Sequence, residues 1–321
     1  MRILITGGNG MLGGDLQQEL EAFHELFPLD HANCDITDET SLAKILSDIK
    51  PQLVINCAAY TDVDGCERSP GQAMAVNARG AGNVARAAER VGARVFHIST
   101  DYVFDGSDRW DGVAPPSAPH LAEPPEPLEP TAFVEQDATH PLSCYGQSKL
   151  EGERRVLASP VAPSTHLVIR TSWLYGLHRV NFVDRVVEQG RRGGPVKAVA
   201  DQISCLTWTR ELARGIGQLI ARREQTPATG ILHLAGSGPC TRLENAAHII
   251  GWLASKTNGP SATIELIPTT WAALNLPAKR PVYSAMTSSR FAELGIAPLP
   301  DWKTSLDEYL ELRCKSATTT N

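Results

Sequence analysis

The fold is indicated most clearly by residues 2–16, RILITGGNGMLGGDL, where an apolar run meets a glycine-rich segment. The run at 2–6 is apolar and bounded by turn residues, which predicts a buried strand. Gly7, Gly10 and Gly13 then have the spacing G-x-x-G-x-x-G, directly before a predicted helix. Such glycines permit a tight turn and let the backbone approach a pyrophosphate, whose charge lies at the helix N-terminus. Because the glycines have this strand and helix context, the stretch predicts a dinucleotide site.

Further along the chain, short apolar runs alternate with longer amphipathic stretches. The runs at 53–59, 94–99 and 166–172 predict further buried strands. Residues 42–49 carry apolar side chains at i, i+3, i+4 and i+7, which predicts a helix, and the Ala-rich stretch 73–91 predicts another. This alternation is typical of an α/β fold, here a Rossmann-like doubly wound parallel sheet with a smaller, mainly C-terminal substrate-binding region.

The same patterns suggest a division into two domains. We expect an NAD(P)-binding Rossmann domain over 1–175 with a proline-rich insertion at 107–141, and a smaller substrate-binding region over 176–321. Part of the second region, about 200–235, is expected to return to the first domain. Residues 113–130 hold seven prolines and therefore predict a loop. Two readings of this loop stay open: a tolerated surface insertion, or a lid or partner-binding segment.

Composition excludes several classes of partner. A formal net charge of −6 gives no general basic footprint, so we expect no nucleic acid. The chain shows neither a signal-peptide pattern nor an apolar stretch of membrane-spanning length, so we expect no membrane. Seven scattered cysteines without C-x-x-C spacing predict reduced thiols and a cytoplasmic protein. The nine histidines form no H-x-x-x-H pair, and we predict no metal site.

Acid/base chemistry is indicated by two separate stretches. In YGQSK (145–149), Tyr145 and Lys149 are spaced to share one face of a helix, and an adjacent ammonium lowers the pKa of a phenol. Ser99, Thr100 and Asp101 follow the fourth predicted strand, at the sheet edge where ligands bind in doubly wound folds. Thr100, Tyr145 and Lys149 are therefore predicted to form a catalytic set beside a nicotinamide.

The cofactor's ribose is assigned to an acidic residue. Asp30 closes the second predicted strand, where such a residue hydrogen-bonds the adenosine 2′-hydroxyl. No arginine follows it directly to hold a 2′-phosphate, so the sequence favours NADH slightly and leaves NADPH open. Asp35 could reach the adenine edge or could serve as a helix N-terminal residue.

Many separated stretches, in order, resemble one family. TGGNGMLG, NCAAYTDVDGCE, VNARGAGN, STDYVFDG, YGQSKLEGE and RTSWLYG resemble the extended short-chain dehydrogenase/reductase superfamily, and within it the dTDP-4-dehydrorhamnose reductases. The likeness also includes DQISCLTWTRELA (201–213) and the late PDWKTSLDEYL, so it covers nearly the whole chain.

The resemblance implies roles for individual residues. Tyr145 would protonate the sugar C4 oxygen during hydride transfer, Lys149 would hold the nicotinamide ribose, and Thr100 would hydrogen-bond the developing oxyanion. Arg280 could face a pyrophosphate. Sugar contacts are implied for Val63, Asp101, Tyr102 and Trp173 of a nucleotide-sugar substrate. Cofactor contacts are implied for Met11, Leu12, Ile36, Ala58, Ala59, Tyr60 and Ser99.

Two departures from the family pattern concern geometry and assembly. The proline-rich insertion is longer than the family's usual loop. Some members dimerise around magnesium through glutamates, but this chain has Asp15 at the first position and its Glu311 is out of register. We therefore do not predict that metal bridge, and a homodimer stays open.

Rival functions remain within the same fold. Another nucleotide-sugar reductase, epimerase or dehydratase shares the cofactor, although Tyr102 stands where dehydratases carry a glutamate. A non-catalytic regulatory subunit, like the relatives that bind methionine adenosyltransferase, shares several motifs. Trp173, the implied sugar platform, favours the enzyme over that subunit.

Overall fold

The computed structural model describes residues 1–106, 109, 132–158, 165–256 and 264–318. The proline-rich segment 113–130 lies outside these residues. Twelve strands occur in the described part of the chain: β1 (Arg2–Thr6), β2 (Glu25–Leu29), β3 (Leu53–Asn56), β4 (Arg94–Thr100), β5 (Leu167–Thr171), β6 (Leu174–Tyr175), β7 (Val196–Val199), β8 (Ile203–Cys205), β9 (Thr207–Trp208), β10 (Gly230–His233), β11 (Pro239–Thr241) and β12 (Leu266–Thr269).

Helices connect and cover these strands. The α-helices of the described residues are α1 (Met11–Leu20), α2 (Glu39–Ile49), α3 (Val63–Arg68), α4 (Pro70–Ala73), α5 (Ala81–Arg90), α6 (Cys144–Leu157), α7 (Phe182–Arg191), α8 (Thr209–Ala221), α9 (Arg242–Lys256), α10 (Phe291–Leu294) and α11 (Trp302–Thr318). A π-helix (Met74–Gly80) leads into α5, and short 3₁₀ turns cover Asp101–Val103 and Ala272–Leu274. No helix in the described ranges is long and apolar enough to cross a bilayer.

A six-stranded parallel sheet forms the centre of the molecule, in the order β10-β5-β4-β3-β1-β2. The order reverses direction between β1 and β3, which creates a crevice at the carboxyl ends of the strands. The predicted doubly wound α/β fold is confirmed. Pro28, which would be disfavoured inside a sheet, lies in β2, and β2 pairs only with β1 at the sheet edge.

Both faces of the sheet are covered by apolar helix stripes. On one face α1 and α8 pack against the strands, with Leu16, Leu212 and Ile216 in the same buried core. The other face carries α2, α5 and α6 through residues such as Leu46 and Val84. Each fully buried aliphatic side chain contributes about 1.5–3 kcal/mol, so these two cores hold the strand ends, and hence the crevice, in place.

The second part of the chain is richer in strands than the sequence indicated. Beyond residue 175, six short strands of two to four residues occur among the described residues, and most pair outside the central sheet. They are too short to show a period of two, so the sequence pattern of most of them does not indicate a strand. A separate core surrounds Trp208 and Tyr309, between α7, α9 and α11.

One segment of the second region joins the main sheet. Strand β10 pairs in parallel with β5, and α8 packs on α1. These elements come from the stretch 200–235, which the sequence placed with the first domain. The division into two domains at residue 175 stays a prediction.

Candidate active site

A cavity of about 640 Å³ opens at the carboxyl ends of the central strands. This volume lies in the range of small-molecule and cofactor sites. Most of the residues singled out from sequence line it. They are Gly7, Gly10, Met11, Leu12, Gly13, Asp30, Asp35, Ile36, Ala58, Ala59, Tyr60, Ser99, Thr100, Asp101, Tyr145, Lys149 and Trp173.

The glycine turn has the backbone geometry that a pyrophosphate needs. Gly7 has φ of +69°, a conformation that other residues rarely adopt. A Cβ at Gly13 would lie 2.5 Å from the carbonyl oxygens of Gly7 and Gly8, so the helix can approach the strand only with glycine there. The N-cap residue of α1 is Gly10, which has no side chain to accept a hydrogen bond. The first-turn N–H groups of α1 therefore receive no side-chain cap. This turn fits a dinucleotide phosphate.

Two carboxylates, those of Asp30 and Asp35, belong to the lining of the cavity. Asp30 accepts hydrogen bonds from Asn9 Nδ2 at 2.7 Å and from Asn33 Nδ2 at 2.8 Å. Asp35 accepts from the backbone and side chain of Thr37, which lowers the pKa of its carboxyl. The helix that follows is capped by Asp38 and not by Asp35. Both Asp30 and Asp35 thus retain positions suited to the adenosine half of a cofactor.

The backbone of the stretch after β3 is fixed by an asparagine. Asn77 in the π-helix accepts from Tyr60 N at 2.8 Å and donates to Tyr60 O at 3.0 Å. It also donates to Ser148 Oγ at 3.0 Å, which ties this stretch to α6. Ala58, Ala59 and Tyr60 are thereby presented to the cavity as a rigid wall.

The three predicted acid/base residues come together at one wall of the cavity. Thr100 ends β4, and Tyr145 lies in the first turn of α6, which Ser143 caps through Gly146 N. The Tyr145 phenol is within hydrogen-bonding reach of Thr100. Lys149, one turn along α6, donates from Nζ to the carbonyl of Ile98 at 2.6 Å. The i, i+4 spacing therefore places both side chains as expected.

The electrostatics of this wall differ from the expectation in one respect. The sequence predicted that Lys149 lowers the pKa of Tyr145. Instead burial raises the pKa of Tyr145, and the Thr100 hydroxyl offsets that only in part. Burial also lowers the pKa of Lys149 to about 8, and its ammonium is directed to a backbone carbonyl. Tyr145 is consequently protonated at neutral pH, which suits a proton donor.

A buried polar chain supports Lys149 from inside the sheet. Thr6 Oγ1 lies 2.6 Å from Asn56 Oδ1, and Asn56 Nδ2 lies 3.0 Å from His97 Nδ1. His97 Nε2 is in turn 3.5 Å from Lys149 Nζ. Burial, with a further contribution from the Lys149 charge, holds the pKa of His97 well below its usual value, so the imidazole is neutral. Sequence patterns gave no signal for this chain, because its members come from three different strands.

Residues implied as sugar contacts divide into two groups. Asp101 and Trp173 line the cavity, whereas the lining does not include Val63 or Tyr102 among the described residues. Tyr102 lies behind Tyr145, with ring centroids 5.8 Å apart in an edge-to-face contact. Asp101 is only 1% exposed, and its carboxylate accepts from three hydroxyl groups. Ser99 is buried as well, and its hydroxyl donates a hydrogen bond to the carboxylate of Glu153.

The arginines that line the site are not the one that the sequence suggested. Arg280 pairs with Asp64 at 3.0 Å and is outside the cavity lining, and its suggested contact with a pyrophosphate stays a prediction. Arg179 and Arg242 line the cavity instead. Neither belongs to a recognisable motif, which is why sequence reasoning missed them. His31, Cys34, Cys57, Thr171 and Ser172 are further lining residues that were not singled out.

Asp15 is buried, and its carboxylate has hydrogen-bond partners within the fold. It is 3% exposed, accepts a hydrogen bond from Thr209 Oγ1, and lies 3.5 Å from His178 Nε2. The described part of the chain contains no group of three or more side chains placed to hold a metal ion. Asp15 thus serves the contact between α1 and α8.

The chain is similar to known proteins over nearly its whole length. Residues 1–314 match the family of the RmlD substrate binding domain. The chain belongs to this family. A dTDP-4-dehydrorhamnose reductase from Burkholderia thailandensis is 33% identical over 94% of this chain and 96% of its own length. A probable dTDP-4,6-dihydroxy-2-methyloxan-3-one 4-ketoreductase from Streptomyces antibioticus is 36% identical over 96% of this chain and 94% of its own.

Solved structures of family members share the whole fold. A dTDP-4-dehydrorhamnose reductase from Bacillus anthracis, in complex with NADP, is 31% identical and superposes with a TM-score of 0.81. The match covers 96% of this chain and 98% of that one. The family resemblance inferred from the sequence motifs is thereby confirmed.

Proposed function

We propose that the chain is an NAD(P)H-dependent oxidoreductase that reduces dTDP-4-dehydro-L-rhamnose to dTDP-L-rhamnose. The observation that supports this most directly is the meeting of Thr100, Tyr145 and Lys149 at one cavity that also contains the glycine turn. Its membership of the RmlD family and the names of its relatives supply the substrate.

The residues have distinct parts in this reaction. When bound, the dihydronicotinamide supplies a hydride to C4 of the sugar. Tyr145 donates its phenolic proton to the C4 oxygen, and its raised pKa keeps that proton in place until charge develops. Thr100 hydrogen-bonds the same oxygen as it becomes anionic. Lys149 holds the nicotinamide ribose with its ammonium.

Asp30 supports NADH as the preferred cofactor. Its carboxylate lies at the adenosine end and would repel a 2′-phosphate, while it can accept a hydrogen bond from a 2′-hydroxyl. The relative from Bacillus anthracis was solved with NADP, so the family admits the phosphate. We expect kcat/KM with NADH to equal or exceed that with NADPH, and a strong preference for NADPH would contradict this assignment.

A second substrate is suggested by the Streptomyces relative. That protein is named as a 4-ketoreductase of another dTDP-linked sugar and is as similar to this chain as the rhamnose enzymes are. The same three catalytic residues would serve either ketone, because both reactions place a hydride and a proton on a C4 carbonyl.

One assay separates these candidates. Purified protein is mixed with NADH or NADPH and with enzymatically generated dTDP-4-dehydro-L-rhamnose, its uridine analogue, or dTDP-4,6-dihydroxy-2-methyloxan-3-one. Oxidation of the cofactor with the first compound, and a product whose mass is two units higher, would support the proposal. Folded protein that oxidises neither cofactor with any of the three would refute it and favour a regulatory subunit.

The cellular compartment and the oligomeric state are further proposals. None of the seven cysteines forms a disulfide with another described residue, which suits the reducing conditions of a cytoplasm. The homodimer left open by the sequence stays a prediction. Light scattering coupled to size-exclusion chromatography tests it directly.

A further inference from the structure

One half-buried arginine of the main cavity forms no ion pair with any residue that the structure describes. Arg242, the first residue of α9, lines the cavity together with Asp101 and Tyr145. Its guanidinium carbon lies 3.8 Å from the ring centroid of Trp173 and 4.8 Å from that of Phe182. Among the described residues, its side chain makes neither an ion pair nor a hydrogen bond. An arginine has five N–H donors, and a charge removed from water normally finds acceptors for them.

Arg280 shows how the same packing looks when the charge is satisfied. Its guanidinium carbon lies 3.9 Å from the ring centroid of Trp271, much as Arg242 lies over Trp173. Unlike Arg242, it forms two hydrogen bonds to the carboxylate of Asp64, at 3.0 and 3.4 Å. Burial lowers the pKa of Arg242, whereas Tyr102, Cys240 and Asp101 act in the opposite direction, and the charge of Arg280 adds a smaller lowering effect. An anion bound in the cavity against Arg242 would offset both the effect of burial and the effect of the Arg280 charge on the pKa of Arg242.

Trp173 is held in position at a cost. Its backbone φ is +38°, which is unusual for an aromatic residue and strains the backbone. The surrounding structure maintains this conformation, and it places one face of the indole against Arg242. The pair is therefore a preformed unit, a guanidinium packed on an aromatic ring, and both residues line the cavity.

We propose that Arg242, held flat on Trp173, binds the diphosphate of the nucleotide sugar. The inference rests on the proposed function, since it concerns the same cavity. A planar guanidinium binds phosphate oxygens through two parallel hydrogen bonds. We assign the cofactor's own pyrophosphate to the glycine turn at residues 7–13, which follows β1, whereas Arg242 belongs to the second region of the chain and packs on Trp173. Arg242 thus takes the role that the sequence had suggested for Arg280.

Titration calorimetry on protein saturated with NADH tests this, with dTDP, dTMP and thymidine as probes. Saturation with cofactor prevents the probes from entering its site. In Arg242→Gln the dissociation constant of dTDP should rise about 10- to 100-fold, because charge-assisted hydrogen bonds are lost. The affinity for thymidine should not change, and Arg242→Lys should recover part of the dTDP affinity. Arg210→Gln is the matched control: Arg210 also lies over a tryptophan, Trp208, but it faces solvent and pairs with Glu308.

Four outcomes would overturn the inference. Equal losses for dTDP and thymidine would show that Arg242 only supports Trp173. A loss confined to NADH affinity would assign Arg242 to the cofactor, and unchanged dTDP affinity would place the diphosphate elsewhere. A wild-type protein that does not bind dTDP would remove the basis of the inference. Since every readout is binding, a protein that binds dTDP through Arg242 yet reduces no sugar would refute the proposed function alone.

Discussion

Ser284 donates a hydrogen bond from Oγ to Asp101 Oδ2 at 2.6 Å, although 183 residues separate the two in sequence. Ser204 donates to the same oxygen at 2.9 Å, and Thr100 donates to Oδ1 at 3.0 Å. The carboxylate therefore joins the end of β4 to two segments of the second region. Asp101 therefore connects these segments through buried hydrogen bonds next to Thr100, and it also lines the cavity.

This link gives a pH dependence of stability. Burial raises the pKa of Asp101 from its ordinary value of 3.8 to about 6, against the effect of its three hydroxyl partners. Between these values the folded state binds more protons than the unfolded state, so this contribution to the free energy of unfolding falls as pH rises from about 4 to about 6. Asp101→Asn should abolish that fall. Urea denaturation of both proteins at pH 4.5, 5.5 and 7.0 measures the difference.

Asp64 provides a control of opposite sign. Burial raises the pKa of Asp64, but its bonds to Arg280 and Ala278 lower it overall. Its contribution to stability is therefore present at neutral pH and is lost as pH falls through the folded-state pKa. If Asp101→Asn and wild type kept parallel stability curves over this range, the raised pKa of Asp101 would be contradicted.

Replacement of the proposed proton donor should separate binding from turnover. Tyr145→Phe keeps the ring that packs against Tyr102 and removes only the hydroxyl, so we expect unchanged NADH affinity. We expect kcat to fall by about 10²- to 10⁴-fold, the usual contribution of a positioned acid. Stopped-flow or steady-state NADH oxidation measures the fall. A variant that retained wild-type kcat would exclude Tyr145 as the acid.

Lys149 should set the alkaline limit of cofactor binding. Burial lowers the pKa of its ammonium from 10.5 to about 8, so the charge that holds the ribose is lost as pH rises through 8. We expect NADH affinity of the wild type to weaken between pH 7 and 9, while Lys149→Met binds more weakly and shows no such change. Fluorescence titration with NADH across this range is the test.

The effect of the same group on stability has the opposite direction. Because the folded-state pKa is depressed, the unfolded state binds more protons between pH 8 and 10.5, and this contribution to stability rises with pH there. Loss of affinity at high pH therefore cannot be ascribed to unfolding caused by Lys149. Equal pH profiles for wild type and Lys149→Met would contradict the assignment.

Two tyrosines in the second core should respond in opposite ways to loss of a hydroxyl. The Tyr175 hydroxyl is buried and has no hydrogen-bond partner among the described residues, whereas Tyr309 donates to Asp184 Oδ1 at 2.8 Å. Tyr175→Phe should raise the free energy of unfolding by about 1 kcal/mol, and Tyr309→Phe should lower it by about 1–2 kcal/mol. Chemical denaturation of the matched pair gives both values. Destabilisation of equal size in both variants would show that the Tyr175 hydroxyl has an acceptor.

Local patterns were sufficient to predict the frame of this protein. The strand at 2–6, the glycine turn after it and the helix over 42–49 were each indicated by neighbouring residues, because periodicity and turn chemistry are properties of short segments. The pairing of Tyr145 with Lys149 followed from helical spacing in the same way. Apart from the apolar run at 231–235, which overlaps β10, the strands of two to four residues in the second region were missed, since so few residues cannot show a period.

By itself, the sequence determined the sheet, the phosphate-binding turn and the presence of a tyrosine–lysine pair beside it. Only the tertiary structure decided the partners of the charged groups. Arg280 binds Asp64, which is 216 residues away in sequence, and Asp101 accepts hydrogen bonds from two serines of the second region. Arg242 packs on Trp173 and makes no side-chain hydrogen bond within the part of the chain that the structure describes. The reason is physical. A charge or hydroxyl is satisfied by whichever group long-range packing brings within about 3 Å, and no local pattern specifies that group.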